Sequence, residues 1–335
     1  MPFLETYIYA EFLLGTNTYI VGQRNPYILI DTGEGHPDYT LVLEEALRET
    51  AKSSNPSLNE SDVSDIILSH FHHDHVGGLP SVLSLLQKLW DERNSPLPFK
   101  PPRIHKFPLQ SDKLSSVLDS LPPNSHTPDQ SGRPIHDLCD SQIFRIAPDT
   151  PDHPGTSLHV LHTPGHTSDS ICLYLSEDQT LFTADTVLGQ GTAVFEDLAA
   201  YMASLRMMLD IKWPKNLTDS SQGQAIQYAQ LYPGHGPVIC NGPDVISMYI
   251  RHRQEREDQI LKILANPPSN GNLWTTWSIV SVIYAAYPQS LWLPAARSVE
   301  LHLCKLEGEG RVKRLGGGGK DVEWNLLTDQ DIISE

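Results

Sequence analysis

The sequence predicts an α/β domain followed by a smaller unit of helices and a β-hairpin. Over residues 1–266, short apolar runs of strand length alternate with helix-period segments, which is typical of α/β folds. Residues 267–335 change character: two helix-like segments come first, and two strand-like runs then flank "GGGGKD". This order is the outline of a winged helix-turn-helix. We therefore expect two domains, at 1–266 and 267–335.

The composition excludes several classes of protein. The chain has 335 residues, of which 39 % are hydrophobic, and a formal net charge of −17. No run approaches the roughly 18 apolar residues that span a bilayer, and the acidic charge argues against a nonspecific binder of polyanions. The four cysteines are scattered without a C-x-x-C pair, which indicates free thiols. No basic leader is visible, so we expect a cytoplasmic protein, with the mitochondrion as the alternative.

The first half of the chain predicts strands that each run into a turn. Strands are expected at 17–22, 27–33 and 65–70, and helices at 38–53 and 79–93. The strand–loop–helix order is the one in which α/β sheets place ligand sites at the carboxyl ends of strands. Residues 94–136 are rich in proline, serine and lysine, which predicts a long surface excursion.

The second half returns to short strands. They are expected at 141–146, 157–162, 171–175, 180–184 and 229–233. Helices are expected at 195–209 and 243–264, with a polar insertion at 214–226 between them. The last helix begins with a proline, which the first helical turn tolerates.

The segment "LSHFHHDHVGG" at 68–78 follows an apolar strand with four histidines and one aspartate in six positions. Residues two apart in extended backbone point the same way, so His70 and His72 can aim at one point. Asp74 and His75 come a step later and can serve a second point beside it. Gly77 and Gly78 allow the backbone to approach closely. This pattern predicts a metal site.

Two neighbouring metal ions need further ligands, because each zinc ion takes about four or five. Three later strand–turn units supply one residue each: "HTPGHT" offers His166, "LFTADT" offers Asp185, and "LYPGHGP" offers His235. An accidental origin of all of them is improbable, so we expect a two-zinc site.

The motifs "HFHHDH", "TPGHT", "TAD" and "YPGHG" resemble, in this order, the ligand motifs of the metallo-β-lactamase superfamily. The resemblance implies an αββα sandwich with two metals at the edge between its sheets. It implies that His70, His72 and His166 bind the first metal, that Asp74, His75 and His235 bind the second, and that Asp185 bridges them. It also implies that Asp74 orients the attacking hydroxide, which the two metals share.

A narrower resemblance covers nearly the whole chain. "GTNTYIVG", "VLGQGTAVFEDLAAYMASL" and "YIRHRQEREDQIL", with the winged C-terminus, are similar to the lactamase-beta-2 group. Its animal member is an endoribonuclease that cuts single-stranded RNA. Many of the same blocks resemble fungal thioesterases that release polyketides from carrier proteins. The two insertions could reshape the site, and the strand that opens the family domain looks shortened here.

Three hypotheses for function therefore stand side by side. The first is a two-zinc hydrolase acting on single-stranded RNA, and the second is the same site acting on acyl thioesters. The third is a winged-helix nucleic-acid-binding protein with a regulatory metal site, against which the complete ligand set and the acidic charge argue. The residues leave RNA and thioester undecided.

Other polar residues have weaker signals. His73 points away from His72 in extended geometry, so we expect it at the surface or behind the ligands. His162 is a weaker candidate for substrate contact, and Glu196 and Asp197 either support the loop after Asp185 or begin a helix. The C-terminal unit is either a structural cap or an RNA-holding element. Its basic residues are Lys305, Arg311, Lys313, Arg314 and Lys320.

Overall fold

The computed structural model describes residues 15–54, 59–146, 156–213, 224–225, 228–268 and 271–327. The chain forms two compact units, Met1–Val194 with Asp210–Pro243, and Phe195–Leu209 with Asp244–Glu335. The domain boundary expected between 266 and 267 stays a prediction. No helix in the described ranges is long and apolar enough to cross a membrane.

The first sheet of the first unit has five strands in the order β1-β2-β3-β4-β5. They are β1 (Tyr19–Val21), β2 (Tyr27–Ile30), β3 (Val63–Leu68), β4 (Arg103–Lys106) and β5 (Ile135–Asp137). β1 runs antiparallel to β2, and the remaining neighbours are parallel. The carboxyl ends of β2 to β5 therefore meet at one edge.

The second sheet of this unit has the order β12-β9-β8-β7-β6. Its strands are β6 (Ile143–Arg145), β7 (Ser157–His162), β8 (Ile171–Leu175), β9 (Thr180–Ala184) and β12 (Gln230–Pro233). β12 lies parallel to β9, so "TAD" and "YPGHG" leave the sheet side by side. A separate pair, β10 (Lys212–Trp213) and β11 (Gln224–Ala225), lies at the margins of the 214–226 insertion, most of which is outside the described residues.

Strands β2 and β3 of the first sheet are buried on both faces. Leu29 and Ile66 belong to a core with the helices α1 (Pro37–Ser54) and α3 (Leu79–Asn94). Ile28 and Ile67, one residue along, belong to a second core with apolar side chains of the other sheet. This alternation explains why the strands read as continuous apolar runs. The predicted α/β class is confirmed.

The surface excursion expected at 94–136 is wrong in part. The segment contains β4, the beginning of β5 at Ile135 and the short helix α4 (Ser115–Asp119). Ile104 is fully buried, and the polar neighbours His105 and Lys106 are buried through ion pairs with Asp65 and Asp169. This strand of four residues carries basic side chains, so its sequence shows no apolar periodicity. Its charges can be buried because acidic partners elsewhere in the chain compensate them.

The second unit contains four helices among its described residues: α5 (Leu198–Leu209), α6 (Gly242–Leu264, which begins in the first unit), α7 (Thr276–Ile283) and α8 (Trp292–Gly308). A sheet of β13 (Trp274–Thr275), β14 (Val312–Gly316) and β15 (Glu323–Leu326) completes it. β14 and β15 form the expected antiparallel hairpin. Ile260 of α6, Val299 of α8 and Trp324 of β15 share one core, so the predicted winged-helix arrangement is confirmed.

Candidate metal centre

Three imidazole nitrogens converge at the edge where β3 and β7 end. His70 Nε2 lies 3.1 Å from His72 Nδ1. His166 Nε2 lies 3.2 Å from His70 Nε2 and 3.0 Å from His72 Nδ1. A tetrahedral zinc ion with Zn–N bonds of about 2.0–2.1 Å separates its nitrogen ligands by about 3.3 Å. These three nitrogens are therefore spaced as ligands of one metal ion.

The local backbone produces this convergence. β3 ends at Leu68, and His72 keeps extended dihedral angles (φ −60°, ψ 142°) immediately before the four-residue helix α2 (His73–Val76). His70 and His72 therefore stand on the same side of an extended segment. Asp74 and His75 lie one step further, in α2.

A second group lies beside the first and contains Asp74, His75 and His235. Asp74 Oδ2 is 3.4 Å from His75 Nε2 and 3.1 Å from His235 Nε2. His75 is fully buried, whereas the side chain of Asp74 is 40 % exposed. Asp74 is thus the acid of the cluster that solvent and a substrate can reach.

Asp185 contacts both groups. Its Oδ2 lies 3.6 Å from His166 Nε2 and 3.3 Å from His235 Nε2, and its Oδ1 lies 3.3 Å from His75 Nε2. The residue follows Ala184, whose positive φ of 43° turns the chain sharply at the end of β9. Asp185 is therefore placed where a bridging carboxylate would lie.

Hydrogen bonds orient the histidine rings. His75 Nδ1 lies 2.8 Å from Asp31 Oδ2, and His166 Nδ1 lies 2.8 Å from the carbonyl oxygen of Val194. His235 Nδ1 lies 3.2 Å from the carbonyl oxygen of Gly15. Because a carboxylate or carbonyl can only accept, each Nδ1 donates, and each Nε2 faces the cluster, where it can bind a metal ion once it carries no proton.

The cluster carries charge in a mostly buried place. Burial alone would lower the pKa of His75, but the carboxylates of Asp31 and Asp185 raise it to about 10. Burial also opposes the charge of His235, and its hydrogen bonds to Asp185 and Asp74 raise its pKa to about 10. Burial would raise the pKa of Asp74, but His235 and His75 lower it to about 2. Metal ions would displace the protons on these two histidines.

The donor set fits two metal ions. His75 Nε2 and Asp185 Oδ1 are buried without a well-formed hydrogen bond, although they lie 3.3 Å apart. Buried polar atoms without a partner are costly in a folded protein, and a metal ion would satisfy both. Imidazole nitrogens with carboxylate oxygens suit zinc and similar transition metals.

Two glycines allow the loops to meet here. A Cβ atom at Gly234 would lie 2.4 Å from Asp185 Oδ1 and 2.9 Å from His75 Cε1. A Cβ atom at Gly78 would lie 2.0 Å from the carbonyl oxygen of Thr32. The close approach expected of Gly78 is confirmed.

Sequence comparison identifies the family. The profile of the metallo-beta-lactamase superfamily matches residues 12–235, which include both groups of candidate metal ligands. The chain belongs to the metallo-β-lactamase superfamily. A second profile, the beta-lactamase associated winged helix domain, matches residues 275–324. This superfamily chain is a hydrolytic enzyme, as its sequence predicts.

Several relatives match over most of this superfamily chain. A Beta-lactamase-like protein 2 homolog from Drosophila melanogaster is 37 % identical over 305 residues, which cover 91 % of this chain and 86 % of that protein. A protein of the same description from Caenorhabditis elegans is 33 % identical over 301 residues, which cover 90 % of this chain and 81 % of that protein. An atrochrysone carboxyl ACP thioesterase from Aspergillus fumigatus is 32 % identical over 75 % of this chain, but the match covers only 45 % of that protein.

Solved structures share the superfamily fold. A Beta-lactamase domain protein from Burkholderia ambifaria has a TM-score of 0.61 and 14 % identity, with 96 % of this chain and 90 % of that chain covered. A metallo-beta-lactamase family protein from Thermus thermophilus has a TM-score of 0.55 and 18 % identity, with 96 % and 97 % covered. At these identities the likeness concerns the fold alone.

The residues with weaker signals in the sequence lie outside the two groups of candidate ligands. His73 is exposed and belongs to neither metal-ligand group. His162 stacks on Phe107, with ring centroids 3.8 Å apart. Asp197 Oδ1 accepts a hydrogen bond from the backbone N–H of Ala200 at the start of α5, so the helix-start interpretation of Asp197 agrees with the structure.

Sequence reasoning missed Asp31. Besides His75, its carboxylate accepts hydrogen bonds from the backbone N–H and the hydroxyl of Ser69, both at 2.7 Å. It lies just after β2, at the same sheet edge as the ligands, and has a positive φ of 58°. An acid at the end of a buried strand, in "YILIDTG", was the available signal.

Proposed function

We propose that this chain is a two-zinc hydrolase. His70, His72 and His166 hold one ion, Asp74, His75 and His235 hold the other, and Asp185 contacts both. The observation that carries the proposal is the arrangement of seven ligand-type side chains in two adjacent groups, with Asp185 between them.

Two zinc ions held by these residues would supply an activated water and would polarise the carbonyl or phosphoryl oxygen of the substrate. The chain's own residues do the rest. Asp31 and the carbonyl oxygen of Val194 fix the ring orientation of His75 and His166. Asp74 is ionised at neutral pH and partly exposed. Its carboxylate can therefore accept the proton of the attacking water and return it to the leaving group.

We propose an acyl thioester as the substrate. Among the relatives, an atrochrysone carboxyl ACP thioesterase carries an activity of this class in its name. Hydrolysis of a thioester needs no contact to a polyanion, which suits a chain with a net charge of −17. The leaving thiol needs only a proton, and Asp74 is placed to provide it.

Single-stranded RNA is the second candidate. The observation in its favour is the nearly full-length match to Beta-lactamase-like protein 2 homologs, including the winged-helix segment. Most of the basic residues of that segment argue against it, because they pair with acids. Lys305 Nζ is buried and lies 2.9 Å from Glu257 Oε1, and Arg314 Nε lies 3.9 Å from Glu307 Oε2. Paired cations attract phosphates less.

The test offers both substrates to one preparation. Zinc-loaded protein is incubated side by side with single-stranded RNA and an acyl-N-acetylcysteamine thioester, and Asp74→Ala and His73→Ala are assayed in parallel. We expect thioester hydrolysis by wild type and His73→Ala, and its loss in Asp74→Ala. RNA cleavage that disappears in Asp74→Ala, without thioester hydrolysis, would show that the substrate assignment is wrong.

A further inference from the structure

A cavity of about 290 Å³ lies where the chain leaves β4 and passes along β5. Its lining residue Lys106 is paired with Leu68, the last residue of β3 and two residues before His70. Apolar side chains dominate its wall, among them Phe107, Leu109, Leu114, Leu118 and Ile135. Its volume is at the lower end of the ~300–1,000 Å³ of small-molecule pockets. It therefore suits a chain or a single ring rather than a folded polycyclic molecule.

The segment 107–118 makes two contacts to side chains that lie close to the candidate ligands in the sequence. Phe107 stacks on His162, four residues before His166, with ring planes 8° apart. In the middle of the segment, Lys113 Nζ lies 3.7 Å from the centroid of the Phe71 ring. The Phe71 ring in turn lies edge-on to His72, at 4.7 Å between centroids. The cavity is thus adjacent to the cluster.

The exposed cation of the wall, Arg133, is paired with carboxylates. The guanidinium of Arg133 lies 2.8 Å from Asp129 Oδ2 and 2.9 Å from Asp137 Oδ2. Because Arg133 is already paired with two carboxylates, it does not select an anionic ligand. The remaining attraction of the cavity is its apolar surface.

We propose that this cavity binds the acyl group of the substrate, as an unbranched chain or a single ring. The inference rests on the proposed thioester hydrolysis. In this arrangement the acyl carbonyl lies at the metal centre, and the chain runs past Phe71 into the space between α4 and β5. The segment 107–118, which the sequence presents only as part of an irregular excursion, then sets substrate specificity.

The experiment is a chain-length series on matched tryptophan variants. Ser115 lines the cavity from an exposed position on α4, whereas its exposed neighbour Ser116 does not line it. Wild type, Ser115→Trp and Ser116→Trp are assayed with N-acetylcysteamine thioesters from acetyl to decanoyl. We expect kcat/KM of wild type and Ser116→Trp to rise about fourfold per methylene until the cavity is full, and this rise to be absent in Ser115→Trp.

A second variant tests the cavity without depending on whether Ser115→Trp folds. Leu118→Ala enlarges the cavity, so its preferred acyl chain should be longer than that of wild type. A flat chain-length profile in wild type overturns the proposal, as does equal behaviour of Ser115→Trp and Ser116→Trp.

A binding measurement separates failure of the pocket from failure of the proposed function. Calorimetry with the decyl thioether of N-acetylcysteamine, which cannot be hydrolysed, is applied to the same proteins. If wild type hydrolyses no thioester, the proposed function is wrong. Thioether binding that Ser115→Trp alone abolishes still supports an apolar-chain site, and equal binding by all variants overturns it.

Discussion

At the scale of single residues, the metal centre depends on groups that decide which nitrogen of each ring faces the ions. Asp31 is the clearest case, because it is 2 % exposed and accepts from His75 Nδ1. Partners of this kind hold the ring and increase the basicity of the ligand nitrogen. The residue is 44 positions away from His75 in the chain, so only the fold connects them.

Asp31→Asn should weaken metal binding without unfolding the protein. The amide cannot accept from His75 Nδ1 as strongly as the carboxylate, and losing such a partner costs about 10–100-fold in metal affinity. Zinc affinity is measured by competition with a chromophoric chelator. Asp38→Asn, at an exposed position on α1, is the control and should bind zinc as wild type does. Equal zinc affinities of Asp31→Asn and Asp38→Asn would show that Asp31 does not support metal binding.

Asp185→Asn should lose the contact between the two ion sites while the fold remains. Its Oδ2 faces His166 and His235, and an amide nitrogen in its place is a poor ligand. We expect elemental analysis to find about two zinc ions in wild type and clearly fewer in Asp185→Asn. His73→Ala should retain the wild-type content and activity. Loss of activity in His73→Ala, with Asp185→Asn unaffected, would contradict the ligand assignment.

At the scale of elements, the site exists because strand ends from both sheets meet at one edge. β3 and β7 deliver the first group of ligands, and the neighbouring strands β9 and β12 deliver Asp185 and His235. The loops must approach within van der Waals distance to do this. Gly234 is the point where an added Cβ atom would meet the side chains of Asp185 and His75.

Gly234→Ala should therefore displace Asp185. The added methyl group would lie 2.4 Å from Asp185 Oδ1, so the carboxylate or the loop must move. We expect reduced zinc content and at least tenfold lower kcat, since a small displacement of catalytic groups is costly. Gly308→Ala, which places its methyl group in free space, should keep both. An unchanged zinc content in Gly234→Ala would show that the loop adapts.

β3 and β4 also share an ion cluster that makes stability depend on pH. Asp65 accepts from His105 Nε2 at 2.7 Å and from Arg103 Nε at 2.8 Å. Burial would raise the pKa of Asp65, but these hydrogen bonds lower it well below its usual value. A lowered folded-state pKa stabilises the protein above the unfolded pKa of about 3.9, and this stabilisation is lost as the pH falls below that value.

Asp65→Asn should therefore lower the free energy of unfolding at neutral pH by about 1.5–3 kcal/mol. Below about pH 4 the difference from wild type should shrink, because the unfolded state then binds a proton at Asp65 while the folded state still holds it ionised. Urea unfolding of metal-free protein at neutral and acidic pH measures this difference in the free energy of unfolding. Asp119→Asn, at an exposed position, is the control. A difference that stays constant with pH would argue for packing rather than charge.

At the scale of the whole molecule, charge bears on the choice between the two candidate substrates. The chain is strongly acidic, and the basic groups named above in the winged-helix unit mostly face acids. A protein that binds RNA through phosphates loses affinity steeply with added salt. An apolar acyl group gives no such dependence.

We expect thioester hydrolysis to change little across a salt series. The double variant Lys313→Ala, Arg314→Ala should give the same KM as wild type at each salt concentration. Both residues lie on β14 of the hairpin, where an RNA-holding element would need them. The same series is run with single-stranded RNA. A KM for RNA that rises steeply with salt, and that loses this dependence in the double variant, would favour RNA as the natural substrate.

The sequence by itself determined the α/β class, the winged-helix outline and the set of metal-ligand candidates. These features are local: strand and helix periods, and motifs such as "HFHHDH", are complete within a few residues. Only the tertiary structure decided the role of Asp31, the membership of Arg103–Lys106 in the central sheet and the pairing of Lys305 with Glu257. A buried charge depends on partners that lie far apart in the chain, and folding alone brings those partners together.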